Sequence, residues 1–272
     1  MAEIALTQLQ AFIRAELKPE QYKDYCPNGL QVEGKAQVKR LALGVTASMG
    51  VIEQASAWQA DALLVHHGYF WKGEDPCIVG VKRKRLQALW ASDMSLLAYH
   101  LPLDVHPTLG NNAQLAKRLD WQVVAQHRVD GVPGLLWMGE LQRPMQASEL
   151  ADKLTSQLGQ KPLVVGPVAK QPNTEQANTQ EPNSSADPAI TTLAWCTGAA
   201  QRYFQTAIDL GATAYLSGEI SENTVHLARE TGIPFFACGH HATEKYGVQA
   251  LGEKIGSVNG IEVRFFDEHN PV

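Results

Sequence analysis

The sequence predicts an α/β fold with largely parallel strand pairing, and three observations carry that prediction. Short apolar runs alternate with amphipathic helical stretches at the spacing of βα units. The theme restarts in the second half of the chain, after a change of pattern at Trp121. The 272 residues are 44% hydrophobic and 19% charged, enough apolar material for one large domain or two of ordinary size.

Taken in order, Ile4, Leu6, Leu9, Phe12, Ile13 and Leu17 form a helical stripe that predicts a helix over 4–17. "DYCPNGLQVEG" is punctuated by Pro27 and Gly29 and reads as a loop. "VKRLALGVTAS" reads as a strand and turn, "MGVIEQASAWQA" as a helix, and "DALLVHHG" as a strand that ends abruptly. "KRKRLQALWASD" is a helix, "MSLLAYHLPLD" a strand and loop, and "NNAQLAKRLD" a helix. Past Trp121, "QVVAQHRV", "GLLWMGEL" and "PLVVGPV" read as strands around one helix, "ASELADKLTSQLG". Residues 169–189 are rich in Gln, Asn, Pro and Ser with almost nothing apolar to bury, which predicts a mobile surface loop. "ITTLAWCTGAA" then restarts the strand–turn–helix theme.

The restart matches the first half segment by segment. "LALGVTASMGVIEQASAWQADALLVHHG" lies over "LAWCTGAAQRYFQTAIDLGATAYLSGEI" with small gaps, which sets His66 and His67 opposite Gly218 and Glu219. "LLAYHLPLD" lies over "FFACGHHATE", so His100 and Asp104 match His240 and Glu244, each pair four apart. Two related βαβ halves deliver polar residues at corresponding strand ends; chance likeness between two βα units is the alternative.

Bulk properties narrow the function classes. The net charge of −5 gives no field for a nucleic-acid partner, although a local basic groove can hide in an acidic total. Cys26, Cys77, Cys196 and Cys238 are far apart with no CxxC pair, so neither a zinc ribbon nor a redox dithiol is written here. The opening residues form an amphipathic pattern without a signal peptide, and no apolar run is long enough to span a membrane. The expectation is a cytoplasmic protein with reduced thiols.

Five of the nine histidines fall in three short windows: His66 with His67, His100, and His240 with His241. Each window follows an apolar strand-like run. Ligand sites in open α/β sheets lie beyond the carboxyl ends of the strands. Glu74, Asp104 and Glu244 bring a carboxylate near each window, and Glu219 ends a fourth run. Neighbours on an extended strand point to opposite sides, so His66 and His67 would diverge unless Gly68 turns the chain. Imidazole and carboxylate without thiolate suit zinc, iron, manganese, cobalt or nickel, and do not suit a closed structural zinc site. A single His at a strand end is ordinarily a hydrogen-bonded rim residue, and HxxxE is common by chance. Three clusters at comparable strand ends are what favour a metal site.

The stretches "LLVHHGYFWKG", "AYHLPLDVHPTLGNN", "YLSGEISENTVHLARE" and "FFACGHHATEKYGVQALGE", together with "DYCPNGLQVEG", resemble the NIF-three-like family of dinuclear metal-centre proteins, in its bacterial YbgI-type branch. The resemblance covers nearly the whole chain. It implies two intertwined α/β subdomains, 1–127 and 128–272, with mixed sheets flanked by helices and the site at strand C-terminal ends between them. It also implies that His66, His67, Asp104, His240 and Glu244 hold two divalent ions. His67 and Asp104 would serve one ion, His66 and His240 the other, and Glu244 would bridge. His100, Glu219 and His241 would line the pocket as supporting or acid/base groups. The resemblance further implies a toroidal homohexamer and the label GTP cyclohydrolase I type 2.

The remaining motifs have ordinary readings beside functional ones. Lys82–Arg85 is a solvated helix start, or a phosphate-attracting patch near the site mouth. Tyr69, Phe70 and Trp71 are core or subunit-contact residues, or a stacking platform for a base. His106 reads as rim packing or a spare ligand, and Cys238 as a small buried residue. The function expected is a dinuclear metal-dependent hydrolase acting through an activated water on a small molecule, with a nucleotide or purine-like heterocycle as candidate. No P-loop or GxGxxG motif supports the nucleotide. The alternative is a ring-shaped scaffold or binding protein whose partner is DNA or another protein, with DNA not favoured.

Overall fold

The computed structural model describes residues 2–167 and 189–272. The polar segment expected as a mobile loop lies outside the described residues except for Ala189, which opens a strand. The chain forms two compact units, residues 1–114 with 244–270 and residues 115–243 with 271–272. The division therefore falls at 114/115 and 243/244, where the sequence reading placed one boundary at 127/128. The return of 244–270 to the first unit goes with a strand pairing between the chain's two ends, described below.

The first unit begins with β1 (Ile4–Ala5), α1 (Leu6–Leu17), β2 (Gly29–Val32), β3 (Gln37–Val38), β4 (Arg40–Thr46) and α2 (Met49–Ala57). It continues with β5 (Ala62–His67), α3 (Gly80–Ala91), β6 (Ser95–Ala98) and α4 (Leu101–Asp104), and α5 (Asn111–Leu119) carries the chain onward. The second unit holds β7 (Gln122–Val129), β8 (Val132–Gln146), α6 (Ala147–Leu158), β9 (Leu163–Val165), β10 (Ala189–Trp195), α7 (Phe204–Asp209), β11 (Ala214–Ser217), α8 (Glu222–Thr231) and β12 (Phe235–Ala237). The helix α9 (His240–Asn259) then returns the chain to the first unit, which β13 (Glu262–Phe265) completes.

The first unit's five-stranded sheet runs β13-β4-β5-β6-β2, parallel except for β2, which pairs antiparallel with β6. β13 pairs with β4 over Glu262–Phe265 and so ties the C-terminal segment to the N-terminal one. Successive side chains on a strand face opposite ways, and both faces here are covered. Leu41, Leu43 and Leu64 pack with Leu9, Ile13 and Leu17 of α1 and Val248, Leu251 and Ile255 of α9. Ala42, Leu63 and Val65 pack on the other side with Val51, Ile52 and Ala55 of α2 and Leu86 and Leu89 of α3. A sheet buried on both faces explains why "ALLVHH" is apolar without alternation.

Residues 4–5, read as the start of a helix, instead pair as β1 with β3, and two further elements differ from the expectation. The stretch read as a loop from Asp24 to Gly34 becomes strand β2 at Gly29–Val32, because its backbone pairs with β6. The stretch after β6 read as loop closes into one helical turn, α4, with Pro102 in its first turn.

The second unit's sheet runs β7-β8-β10-β11-β12-β9, with β10, β11 and β12 parallel and the outer pairs antiparallel. β7 and β8 are joined by Asp130-Gly131, both at positive φ (49° and 77°), the geometry a two-residue hairpin requires. Trp137, Trp195, Tyr215, Phe204, Phe235 and Phe236 are fully buried here. β10-α7-β11-α8-β12 repeats the order of β4-α2-β5-α3-β6. The sequence set His66 and His67 opposite Gly218 and Glu219; β5 runs on through both histidines, whereas β11 stops at Ser217, just before that pair.

Candidate metal centre

β5 ends in His66 and His67, and the first unit folds so that both imidazoles are tethered at one nitrogen and directed by the other. His66 Nδ1 lies 3.0 Å from the Tyr99 carbonyl oxygen, which can only accept, so Nδ1 carries the proton. His67 Nδ1 lies 3.1 Å from the Thr46 hydroxyl. The remaining nitrogens meet carboxylates. His66 Nε2 is 3.4 Å from Asp104 Oδ1 and 3.6 Å from Glu244 Oε1, while His67 Nε2 is 3.2 Å from Glu244 Oε2. Although they are neighbours on a strand, the two rings sit 4.6 Å apart. Gly68 follows directly, packed so closely that a Cβ there would lie 2.6 Å from that of Ala98 and would collide with Gln31 Oε1.

His66, Asp104 and Glu244 are buried, and one donor atom from each lies within 4.8 Å of the others. Among the described residues His66 Nε2 has no hydrogen-bond partner, since 3.4–3.6 Å contacts are too long. A buried imidazole nitrogen aimed at two buried carboxylates without hydrogen bonding them is an arrangement that a cation completes. The donor set of imidazoles and carboxylates suits borderline divalent metals.

Electrostatics support the same reading. Burial pulls the His66 imidazole down, but the Asp104 and Glu244 carboxylates outweigh it and raise the group to about 9. Burial pushes the Asp104 carboxyl up, His66 lowers it, Glu244 raises it again, and the net shift is upward. Without a metal, this pocket therefore holds protons that its acids would otherwise release.

Supporting residues fix the carboxylates. Asp104 sits on α4, held by Asp104 N–H donating to His100 O at 3.1 Å. Asn111, fully buried at the start of α5, donates through Nδ2 to Asp104 Oδ1 at 2.9 Å and accepts through Oδ1 from Gly247 N at 2.9 Å. One amide thus joins the Asp104 turn to the α9 segment that carries Glu244. We expect Asn111→Ala to weaken divalent-metal binding by about 10–100-fold, measured by calorimetric titration of zinc into the metal-free protein. Unchanged affinity would show that Asp104 needs no such support.

His100 stands beside the pair, with ring centroids 5.1 Å from His66 and 5.8 Å from His67, and Trp71 meets it edge-on at 5.1 Å. Its Nδ1 is 2.7 Å from Asp24 Oδ1. Cys26 is buried beside them, and burial followed by the Asp24 charge pushes its thiol up to about 12, so it stays protonated. In the second unit, His240 Nδ1 lies 2.7 Å from Glu219 Oε1 just past β11. His240 and Glu244 are one turn apart on α9, facing the same way along the helix. His241 donates its backbone N–H to Val272 O.

Other candidates fall into structural roles. Glu74 accepts from Trp71 N at 3.0 Å and pairs with Lys82 at 3.1 Å. Lys82, from the basic run, also sits 5.0 Å over the Phe70 ring, bracing the loop after His67. His106 Nδ1 accepts from Leu109 N, and its Nε2 meets Glu16 at 3.4 Å, away from the cluster. Tyr69 is buried and donates its hydroxyl to Ala47 O. The sequence reading assigned no role to Asp24, Asn28, Thr46 or Asn111. "DYCPNG" and "GNN" were visible as motifs, but no spacing connects them to the histidines.

Over residues 4–271 the chain matches the profile of the family described as Duf34/NIF3 (NGG1p interacting factor 3). This chain belongs to the DUF34/NIF3 family. Among its DUF34/NIF3 relatives, a Pseudomonas aeruginosa protein named GTP cyclohydrolase 1 type 2 homolog is 48% identical over 98% of this chain and 99% of its own. A Vibrio cholerae protein of the same name is 47% identical over 97% and 98%. A solved structure described as protein ybgI of unknown function is similar at a TM-score of 0.88, with 42% identity over 99% of this chain and 100% of that one. The structure of a Thermus thermophilus protein, TTHA1606, gives 0.81, with 29% identity over 99% and 100%. Among the described residues no helix is long and apolar enough to cross a membrane.

Proposed function

We propose that this chain is a hydrolase working at a pair of divalent ions, with a nucleotide or purine-like heterocycle as substrate. The observation that carries the reading is the buried meeting of His66, Asp104 and Glu244, with His67 on the second oxygen of Glu244. His66, His67, Asp104 and Glu244 would hold the ions, joined by His240 one helical turn before Glu244. Ions bound there supply Lewis acidity, which acidifies water and polarises a carbonyl, amidine or phosphoryl oxygen.

The chain's own groups do the rest. The tethers from Tyr99 and Thr46 hold the two imidazoles with Nε2 outward, so no rotation is needed on loading. His100 is the group placed to take or return a proton. Glu219 holds His240 by its Nδ1, and His241 next to it is a second candidate for proton transfer. The purine-like substrate is supported by the name its relatives carry, GTP cyclohydrolase 1 type 2 homolog.

The test is turnover. Protein loaded in turn with zinc, manganese, cobalt, nickel and ferrous iron is assayed on a panel of nucleotides, cyclic amides and phosphoesters. Activity that Glu244→Gln abolishes supports the reading. Metal retained with no turnover on any member of the panel overturns the enzymatic part, and light scattering on the same samples decides whether a homohexamer forms.

A further inference from the structure

Asp24 is heavily engaged beside the cluster, and nothing in the chemistry above uses it. Its carboxylate is 3% exposed. Oδ1 accepts from Tyr25 N at 2.6 Å and meets His100 Nδ1 at 2.7 Å. Oδ2 accepts from Asn28 Nδ2 at 2.8 Å and from Leu101 N at 2.9 Å. Asn28 turns its own Oδ1 to the His100 backbone N–H at 2.7 Å, which fixes which way its amide faces.

We infer that Asp24 is a positioning residue for His100: it accepts the Nδ1 proton and so leaves the lone pair on Nε2, the nitrogen not bound to Asp24. The inference rests on the reading of His100 as the proton-handling group. A carboxylate only accepts, and three further donors besides His100 converge on this one. Burial pushes the Asp24 carboxyl up, but the hydrogen bonds from His100, Asn28 and Tyr25 help to pull it below the ordinary range. Asp24 is therefore ionised at neutral pH, and His100 must be the donor. A neutral imidazole has one N–H, so Nε2 is left able to accept a proton. The same anchor binds the first turn of α4, so the imidazole and the segment carrying Asp104 are oriented together.

Asp24→Asn tests this, because an amide cannot accept at both ends. If its NH2 took the Oδ2 place, it would face the Leu101 N–H and an Asn28 amide that cannot turn without losing His100 N. If it takes the Oδ1 place, the Tyr25 N–H loses its acceptor but is exposed to water, and His100 can adapt by moving its proton to Nε2. The variant therefore selects the wrong tautomer while keeping size and shape, as in the analogous carboxylate-to-amide change of a catalytic triad.

Zinc is the probe, loaded into wild type, Asp24→Asn and Asp24→Glu labelled with 15N-histidine; His100→Gln assigns the His100 ring signals. In the wild type, His100 is expected to show the Nδ1–H pattern in two-bond 15N–1H spectra. Asp24→Asn should show the Nε2–H pattern with zinc content unchanged, and Asp24→Glu should restore Nδ1–H. On any substrate found in the panel above, Asp24→Asn should lower kcat by about 100-fold or more with little change in KM. A wild-type His100 protonated at Nε2 overturns the inference, as does an Asp24→Asn protein that keeps Nδ1–H. The wild-type spectrum decides even if a variant fails to fold. Absence of turnover together with the expected tautomers counts against the enzymatic reading and leaves the role of Asp24 standing.

Discussion

Glu244→Ala is expected to abolish binding of both ions of the proposed pair, whereas His66→Ala and His67→Ala each cost one. The two oxygens of Glu244 face different imidazoles, Oε1 toward His66 and Oε2 toward His67. A single carboxylate placed so is common to both positions, and neither histidine is. Losing a group that merely orients a ligand weakens metal binding about 10–100-fold, so loss of a shared ligand should exceed about 100-fold at each position. Elemental analysis after gel filtration, with zinc titration by calorimetry, measures the stoichiometry. Thermal unfolding gives a second reading. At a free metal concentration of about 1,000 times Kd, binding stabilises a native state by about 4 kcal/mol, and Glu244→Ala should show none of this. A Glu244→Ala protein that retains one ion at wild-type affinity would refute the shared-ligand geometry.

The second large effect is on pH. His66 is raised from 6.5 to about 9 by Asp104 and Glu244, against its burial. The folded metal-free protein thus binds this proton more tightly than the unfolded chain does. Its contribution to stability is complete below pH 6.5 and is lost as the pH climbs through about 9. Asp104, also raised, acts in the same direction: its contribution is present below its ordinary value and fades as pH rises through the folded one. Asp24, which is lowered, acts oppositely, supporting the fold above its ordinary value of 3.8 and failing as pH falls through its folded value. Urea unfolding of chelator-treated protein should therefore show stability declining from pH 6.5 toward 9. Metal must displace the His66 proton, so zinc binding should release protons and tighten over the same interval. Stability of the metal-free protein that is flat across that interval, or zinc binding without proton release, would show that His66 is not charged in the empty pocket.

Much of the architecture could be read along the chain. β4, β5 and β6 announced themselves as apolar runs closed by polar residues. The repeat of that pattern as β10, β11 and β12 was visible because each run is short, buried and followed by a helix. β2 was not, because Gly29–Val32 is a strand only through its pairing with β6, about 65 residues further along. α4 was hidden for a similar reason: four residues carry no period, and its turn is held by Asp24, Asn28 and His100. Nor does any spacing show that β13 joins β4, a pairing between residues more than 200 apart.

The site divides in the same way. The sequence by itself determined which side chains were candidates: imidazoles and carboxylates stand at the ends of buried strands, where an α/β sheet exposes its functional edge. It also set His240 and Glu244 four apart, a spacing of about one turn once α9 makes that segment helical. Only the tertiary structure decided which nitrogen each histidine spends on the protein, that His66 faces two acids, that Asn111 ties Asp104 to α9, and that Asp24 holds His100 from 76 residues away. A hydrogen bond is set by tenths of an ångström between atoms, and its partners are chosen by how distant segments pack. Spacing along the chain carries no trace of that choice.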